Sequence, residues 1–368
     1  MRIERVTLTH VRIPLVEPFR ISNGVVAEKD GIIVAVSADG LTGIGEASPM
    51  SGSFYSGDTP ESTWDDLRQK IVPAILADQP GSVDAVNGLL SASGANPFGR
   101  AGVETAFWDL EAQRTDQPLH QMLGCRRTSV ASGLAVGIYP TIADLLAAIG
   151  RYIADGYTRV KIKIQPGWDV EPLRAVRKSF GSLPLMVDAN CAYSRTDFDH
   201  LKALDDFDLI MIEQPLARED LQGHAHLRKI LRTPICLDES ADDPEAVRRA
   251  IQLGSCAIVN IKIQRVGGLK NAVAIHDECR AAGIPVWAGT MPELGIGSIQ
   301  TAHLAGLEGF AYPTDVESSL RWFVDDIIDP VLQVRDGCIS LPTGPGNGVA
   351  LNHSVVRKYR VREEVFRA

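Results

Sequence analysis

The chain is short of several things, and each shortage removes a class of protein. Its 368 residues include only six cysteines (Cys125, Cys191, Cys236, Cys256, Cys279 and Cys338), with no C-x-x-C pair among them. That scatter fits neither a disulfide framework nor a zinc knuckle, so reduced, mostly buried thiols are the expectation. Basic charge is in the minority: 37 Lys and Arg against 46 Asp and Glu give a net charge of −9. Nucleic acids and anionic membranes need a basic face, so neither is an expected partner; a small anionic substrate held by a local site remains open. No stretch approaches the roughly 18 apolar residues of a membrane span. The opening Met1-Arg2-Ile3-Glu4-Arg5 carries charges where a secretory leader has its apolar run, which makes a cytoplasmic protein the expectation. What is present is ordinary globular composition, enough for two domains or one large barrel with additions.

The first 125 residues read as α+β. Arg2–Pro14 and Gly31–Ser37 alternate like antiparallel strands. Between them Pro18-Phe19-Arg20-Ile21-Ser22-Asn23-Gly24 reads as a loop, and a second loop runs from Ser48 to Gly57. Thr63–Leu76 and Ala101–Gln113 have helical periodicity. From about residue 126 the pattern changes to short apolar runs alternating with amphipathic helices. The runs are Gly133–Ile138, Arg159–Ile164, Leu183–Val187, Leu209–Ile212, Pro234–Leu237, Ala257–Ile261, Pro285–Ala288 and Ala311–Asp315. Near-continuous apolar strands separated by helices predict a parallel sheet covered on both faces, and eight units predict a TIM-like barrel. The barrel is assigned to residues 126–325, short enough that its last helix is missing or replaced. Residues 326–368 read as turns and short strands that pack back on the N-terminal cap.

Several of these runs end in a functional side chain. Lys163, Asp188, Glu213, Asp238 and Lys262 follow one another at spacings of 25, 25, 25 and 24 residues. Units of constant length return the chain to one height of the barrel, so all five side chains share the rim formed by the C-terminal strand ends, where barrel enzymes keep their sites. Asp188, Glu213 and Asp238 stand on adjacent strands and converge. Their mutual repulsion calls for a cation, and three hard oxygen donors suit Mg²⁺. Lys163 and Lys262 stand four strands apart in an eight-stranded ring and face each other across whatever the metal holds. This is a layout for removing the proton beside a carboxylate, with the developing enediolate charge stabilised by the metal. Lys161 points the same way as Lys163 by strand alternation. Its charge, with the metal, is expected to bring Lys163 toward the range of about 7–8 where a base works well. Asn190 and Glu239 are candidates for orienting these groups.

These residues resemble the enolase superfamily, and its muconate lactonizing enzyme subgroup in particular. The resemblance rests on Lys161-Ile162-Lys163, Asp188, Glu213 in Ile-Glu-Gln-Pro, Asp238 in Leu-Asp-Glu-Ser, and Lys262. It implies a (β/α)7β barrel under an α+β cap, Mg²⁺ as cofactor and a homo-oligomer. Within the subgroup the chain is similar to the o-succinylbenzoate synthase and N-acylamino acid racemase branch, through Arg265-Val266-Gly267-Gly268 and the segment Met291–Gly297. Thr290, Pro292 and Ser298 depart from that branch's pattern at the end of strand seven. No histidine lies between Pro285 and Ser298, which separates the chain from the mandelate racemase branch.

The expected activity is racemisation or epimerisation of N-acylated amino acids. Dehydration to o-succinylbenzoate, dipeptide epimerisation and cycloisomerisation share the same first step, and a catalytically silent binding barrel is the alternative of a different class. Substrate-binding candidates are Phe19 and Arg20 in the first loop, Phe54 and Tyr55 in the second, and Thr290, Met291 and Glu293 after strand seven. Asp315 and Glu317 end the eighth run; they are placed either on a substrate ammonium or in a salt bridge with Arg321. His224 and His226 are read as surface residues of a helix.

Overall fold

The structure, a computed structural model, describes residues 1–52 and 55–368. Two long strands, β1 (Ile3–Ile21) and β2 (Gly24–Ala38), form a hairpin, and β3 (Leu41–Ala47) extends it. The strands run further than the alternation suggested. The predicted loop Pro18–Gly24 is the end of the hairpin, with a register irregularity between Pro14 and Phe19 and a tight turn before Gly24. The helical stretch expected over Thr63–Leu76 is split: Pro60–Asp66 and Val72–Asp78 are α-helical, and Leu67–Ile71 is a π-turn closed by Val72 N–H donating to the Leu67 carbonyl. Pro73 lacks the amide that an undisturbed α-helix would need there. The helix Pro97–Arg114 packs across β3.

After β4 (Ser129–Ala131) come the seven parallel strands β5 (Leu134–Val136), β6 (Val160–Lys163), β7 (Leu185–Asp188), β8 (Ile212–Glu213), β9 (Ile235–Leu237), β10 (Ile258–Ile261) and β11 (Val286–Ala288). They are hydrogen-bonded in chain order. The eighth predicted run and the residue before it make isolated bridges, Phe310 with Val286 of β11 and Thr314 with Ser132 just ahead of β5, and so close the ring without forming a strand. Pro313, inside that run, has no amide for a ladder. The chain ends with β12 (Ile328–Asp329), β13 (Cys338–Ser340), β14 (Ala350–Leu351) and β15 (Arg360–Arg367). β13 pairs with β4, while β15 returns to lie antiparallel against β1.

The barrel interior explains why its rim is functional. Met186, Met211, Cys236, Ile258 and Trp287 form a buried apolar cluster inside the ring. Two residues further along each chain, and therefore on the same face, stand Asp188, Glu213, Asp238, Asn260 and Gly289. An apolar layer thus supports a layer of polar groups. Gly289 is required there, because a Cβ would stand 2.4 Å from the Asn260 side chain.

Candidate active site

Both rim lysines emerge from this layer already held. Lys163 Nζ donates to Asp188 Oδ2 at 2.5 Å and to Asn190 Oδ1 at 2.8 Å. Lys262 Nζ donates to Asp238 Oδ2 at 2.8 Å and lies 3.1 Å from the Tyr55 hydroxyl, which donates to the same carboxylate oxygen at 3.3 Å. Both lysines line one cavity of about 40 Å³, from β6 on one side of the sheet order and the end of β10 on the other. Its apolar wall is made by Phe19, Ile21, Met50, Tyr55, Met291 and Pro292, with Thr290 as a polar member. Asn190 adopts φ +43°, receives no strain relief from glycine, and is fixed by its N–H donating to Asp188 Oδ1 and its amide donating to Glu239 Oε1.

The remaining sequence candidates divide. Phe19, Tyr55, Thr290 and Met291 stand on the cavity, while Phe54 lies outside the described residues. The Arg20 side chain is exposed and lines a neighbouring cavity of about 370 Å³ with Tyr139 and Arg321, not the space between the lysines. Glu293 is buried away from the cavity, both its carboxyl oxygens lack hydrogen-bond partners, and burial pushes its pKa up. Asp315 and Glu317 turn inward. Asp315 pairs with Lys161 and with Arg159 at 2.9 Å; Glu317 pairs with Arg321 at 2.9 Å, the salt bridge weighed from sequence. His224 is buried, contrary to expectation: its Nδ1–H donates to the Asp220 carbonyl and its Nε2 accepts from Leu216 N–H, because the helix presses it against the loop after β8. His226 is exposed.

Three contributors escaped the sequence reading. Arg265 forms an ion pair with Asp238 and donates to the Asn260 carbonyl at 2.7 Å. Asn260 donates to Glu213 Oε1 at 2.7 Å. Gln214 accepts the N–H groups of Asp238 and Ser240 on one oxygen, which fixes the loop carrying Asp238. Their positions one to three residues from predicted site residues were the available signal.

Electrostatics follow from this packing. Burial alone would lower the Lys161 pKa, yet Asp315, Glu213 and Asp188 outweigh it and the group stays firmly protonated. Burial opposes the Asp238 charge, but Arg265 and Lys262 hold its carboxyl well below the usual range. Glu213 is pushed up to about 8, first by burial and then by the charge of Asp188.

Among the described residues, no three His, Cys, Asp or Glu side chains are arranged as a metal-holding group; lysine and arginine side chains occupy the carboxylates instead. The donor set nevertheless fits a hard divalent cation. Asp188, Glu213 and Asp238 have no exposed surface, end three adjacent strands and offer oxygen only. Burial and, after it, the neighbouring Asp188 and Asp238 charges all oppose ionisation of Glu213, an opposition that a bound cation would relieve.

With this geometry in place, comparison with known proteins defines the class. Residues 3–124 match the mandelate racemase / muconate lactonizing enzyme N-terminal domain, and residues 144–355 match the enolase C-terminal domain-like family. The chain belongs to the enolase superfamily and is one of its enzymes. It is 44% identical over 367 residues to an o-succinylbenzoate synthase of Geobacillus stearothermophilus, covering 100% of this chain and 98% of that one. It is 42% identical over 351 residues to an N-succinylamino acid racemase of Amycolatopsis sp, covering 95% of each. A solved enolase-superfamily member from Listeria innocua superposes with a TM-score of 0.95 at 36% identity, covering 100% of this chain and 99% of that one.

Proposed function

We propose that this enzyme removes the proton beside the carboxylate of an N-acylated amino acid and returns it to either face, as a racemase. The observation that carries this reading is the placement of Lys163 and Lys262 on one small cavity, from strands four apart. A substrate α-carbon between them presents one face to each amine. Lys163 takes the proton from one face, steadied by Asn190; Lys262 donates to the other, steadied by Asp238 and the Tyr55 hydroxyl. Lys161 keeps its charge and faces the substrate carboxylate. The apolar wall excludes water from the deprotonated intermediate. A Mg²⁺ held by Asp188, Glu213 and Asp238 would supply stabilisation of the negative charge that develops on that carboxylate.

A second reading is elimination of water to form o-succinylbenzoate, favoured by the 44% identity to a synthase of that name. Here one lysine abstracts the proton and the opposite one contributes only its charge. Incubation with a library of N-acyl amino acids in D2O, read by mass spectrometry and chiral chromatography, tests the first reading, and a parallel assay of the o-succinylbenzoate precursor tests the second. Racemisation with α-deuterium incorporation is the expected result. Precursor dehydration without incorporation into any N-acyl amino acid would transfer the assignment to the second reading.

A further inference from the structure

We infer that Gln264 is a positioning residue for Lys262: it ties the turn that carries this lysine to the end of the cap strand β3, so that the seating of the cap on the barrel sets the reach of one of the two bases. This rests on the two-lysine reading above and adds a residue to it. The two lysines are anchored differently along the backbone. Lys163 is the last residue of β6, in register with Asp188 of β7, and the next amide, Ile164 N–H, donates to the Asp188 carbonyl at 2.9 Å. The sheet itself holds it. Lys262 lies one residue past β10 and caps the helix Ile263–Val266, which is four residues long. A single turn has too few internal hydrogen bonds to hold its own shape, so its place follows from its side-chain anchors.

Two side chains of this turn supply them. Arg265 reaches into the barrel, donating to the Asn260 and Ala241 carbonyls at 2.7 and 3.2 Å. Gln264 reaches the other way, into the cap. Only 1% exposed, it donates through Nε2 to the Glu46 carbonyl at 2.7 Å and accepts the Ser48 N–H on Oε1 at 2.9 Å. Its amide thus pairs with the end of β3 as a further strand would. The segment it grips is itself fixed. β3 lies so close to the helix Pro97–Arg114 that a Cβ at Gly43 or Gly45 would collide with the Ala106 or Gly102 carbonyl. Lys29, 1% exposed, holds the same segment from β2, donating to the Ser48 and Pro49 carbonyls at 3.1 and 3.2 Å. Gln264 does not line the cavity between the lysines, so it acts through Lys262.

The test measures α-hydrogen exchange in D2O for each enantiomer of an N-acyl amino acid that the wild-type enzyme racemises. The enantiomer still exchanged by Lys163→Ala is the one that Lys262 serves. Gln264→Met keeps the side-chain volume and removes both hydrogen bonds. It should lower exchange of the Lys262-served enantiomer by about ten- to a hundredfold, the scale on which misplacing a reacting group acts, and that of the other by less than about threefold. Both rates come from one sample, so any loss of folded enzyme cancels from their ratio. Glu104→Ala is the control: it weakens the same seam without a hydrogen bond to the turn, and it should leave the ratio at the wild-type value. An unchanged ratio in Gln264→Met, or a shift of equal size in Glu104→Ala, would overturn the inference and leave the two-lysine reading intact. A wild-type enzyme that exchanges neither enantiomer would overturn that reading, and the inference with it. If Gln264→Met does not fold, Lys29→Met reads the same segment. A fall of at least about threefold confined to the Lys262-served enantiomer then supports the inference, and an equal fall in both overturns it.

Discussion

Buried carboxylates serve two regions of this molecule in opposite ways. At the barrel rim, Asp188, Asp238 and Asp315 face the side-chain cations Lys163, Lys262, Arg265, Lys161 and Arg159. At the seam between cap and barrel, Glu46, Glu104 and Asp109 face backbone amides. Glu46 accepts from Leu294 and Gly297, Glu104 from Leu269 and Lys270, and Asp109 from Ile44 and Asn347. Burial is the same in both places, but the partners differ in mobility. A lysine swings on four bonds and yields its carboxylate to a metal or a substrate; a backbone amide in a strand, a loop or a helix start is fixed in place. The rim is built for exchange of partners and the seam for permanence, so substitutions in the two regions are expected to separate activity from stability.

The largest expected effect lies at the rim. Lys163→Ala and Lys262→Ala should each lower turnover by at least about a thousandfold while circular dichroism and the melting temperature stay near native values. Retained turnover in both variants would remove the rim from the chemistry. Next, EDTA and Asp238→Asn should each abolish activity, with Mg²⁺ restoring the EDTA-treated enzyme only; an EDTA-insensitive enzyme would contradict the metal assignment.

The seam should show the reverse pattern. Glu104→Ala leaves the Leu269 and Lys270 amides and the Trp108 indole N–H without their acceptor. Urea unfolding should report a loss of about 2–4 kcal/mol, with activity per folded molecule unchanged. A smaller effect concerns pH. Burial pushes the Glu104 carboxyl up to about 7 from 4.5, against the pull of its amide donors. The folded chain therefore holds a proton that the unfolded chain has released. The associated stability is full below about pH 4.5 and is lost as the pH rises through 7. Relative to Glu104→Gln, the native protein should lose on the order of 2–3 kcal/mol across that window. Parallel stability curves for the two proteins would show that the seam carboxylate is not proton-linked.

How much of this was legible in the sequence follows the same division. Constant spacing encodes height on a barrel, so Lys163, Asp188, Glu213, Asp238 and Lys262 could be placed on one rim before any coordinates. Direction within the rim was less legible. Asp315 and Glu317 share a face by strand alternation, but nothing local says that Arg159, 156 residues earlier, and Lys161 occupy Asp315. The charge on Lys161 was visible, whereas its pairing with three acids from three other segments was not. Arg265, Asn260 and Gln214 act through contacts across neighbouring strands, which periodicity does not encode. The seam went unread for the same reason: Glu104 lies in a helical pattern whose acidic residues ordinarily face water, and its partners belong to a helix start 165 residues away.

The opposed-lysine account meets its most direct test in the enantiomer specificity of proton exchange in the two single variants. With a racemised N-acyl amino acid in D2O, Lys163→Ala should exchange the α-hydrogen of one enantiomer alone and Lys262→Ala that of the other alone, neither variant interconverting them. Exchange of the same enantiomer by both variants, or continued interconversion in either, would contradict the account.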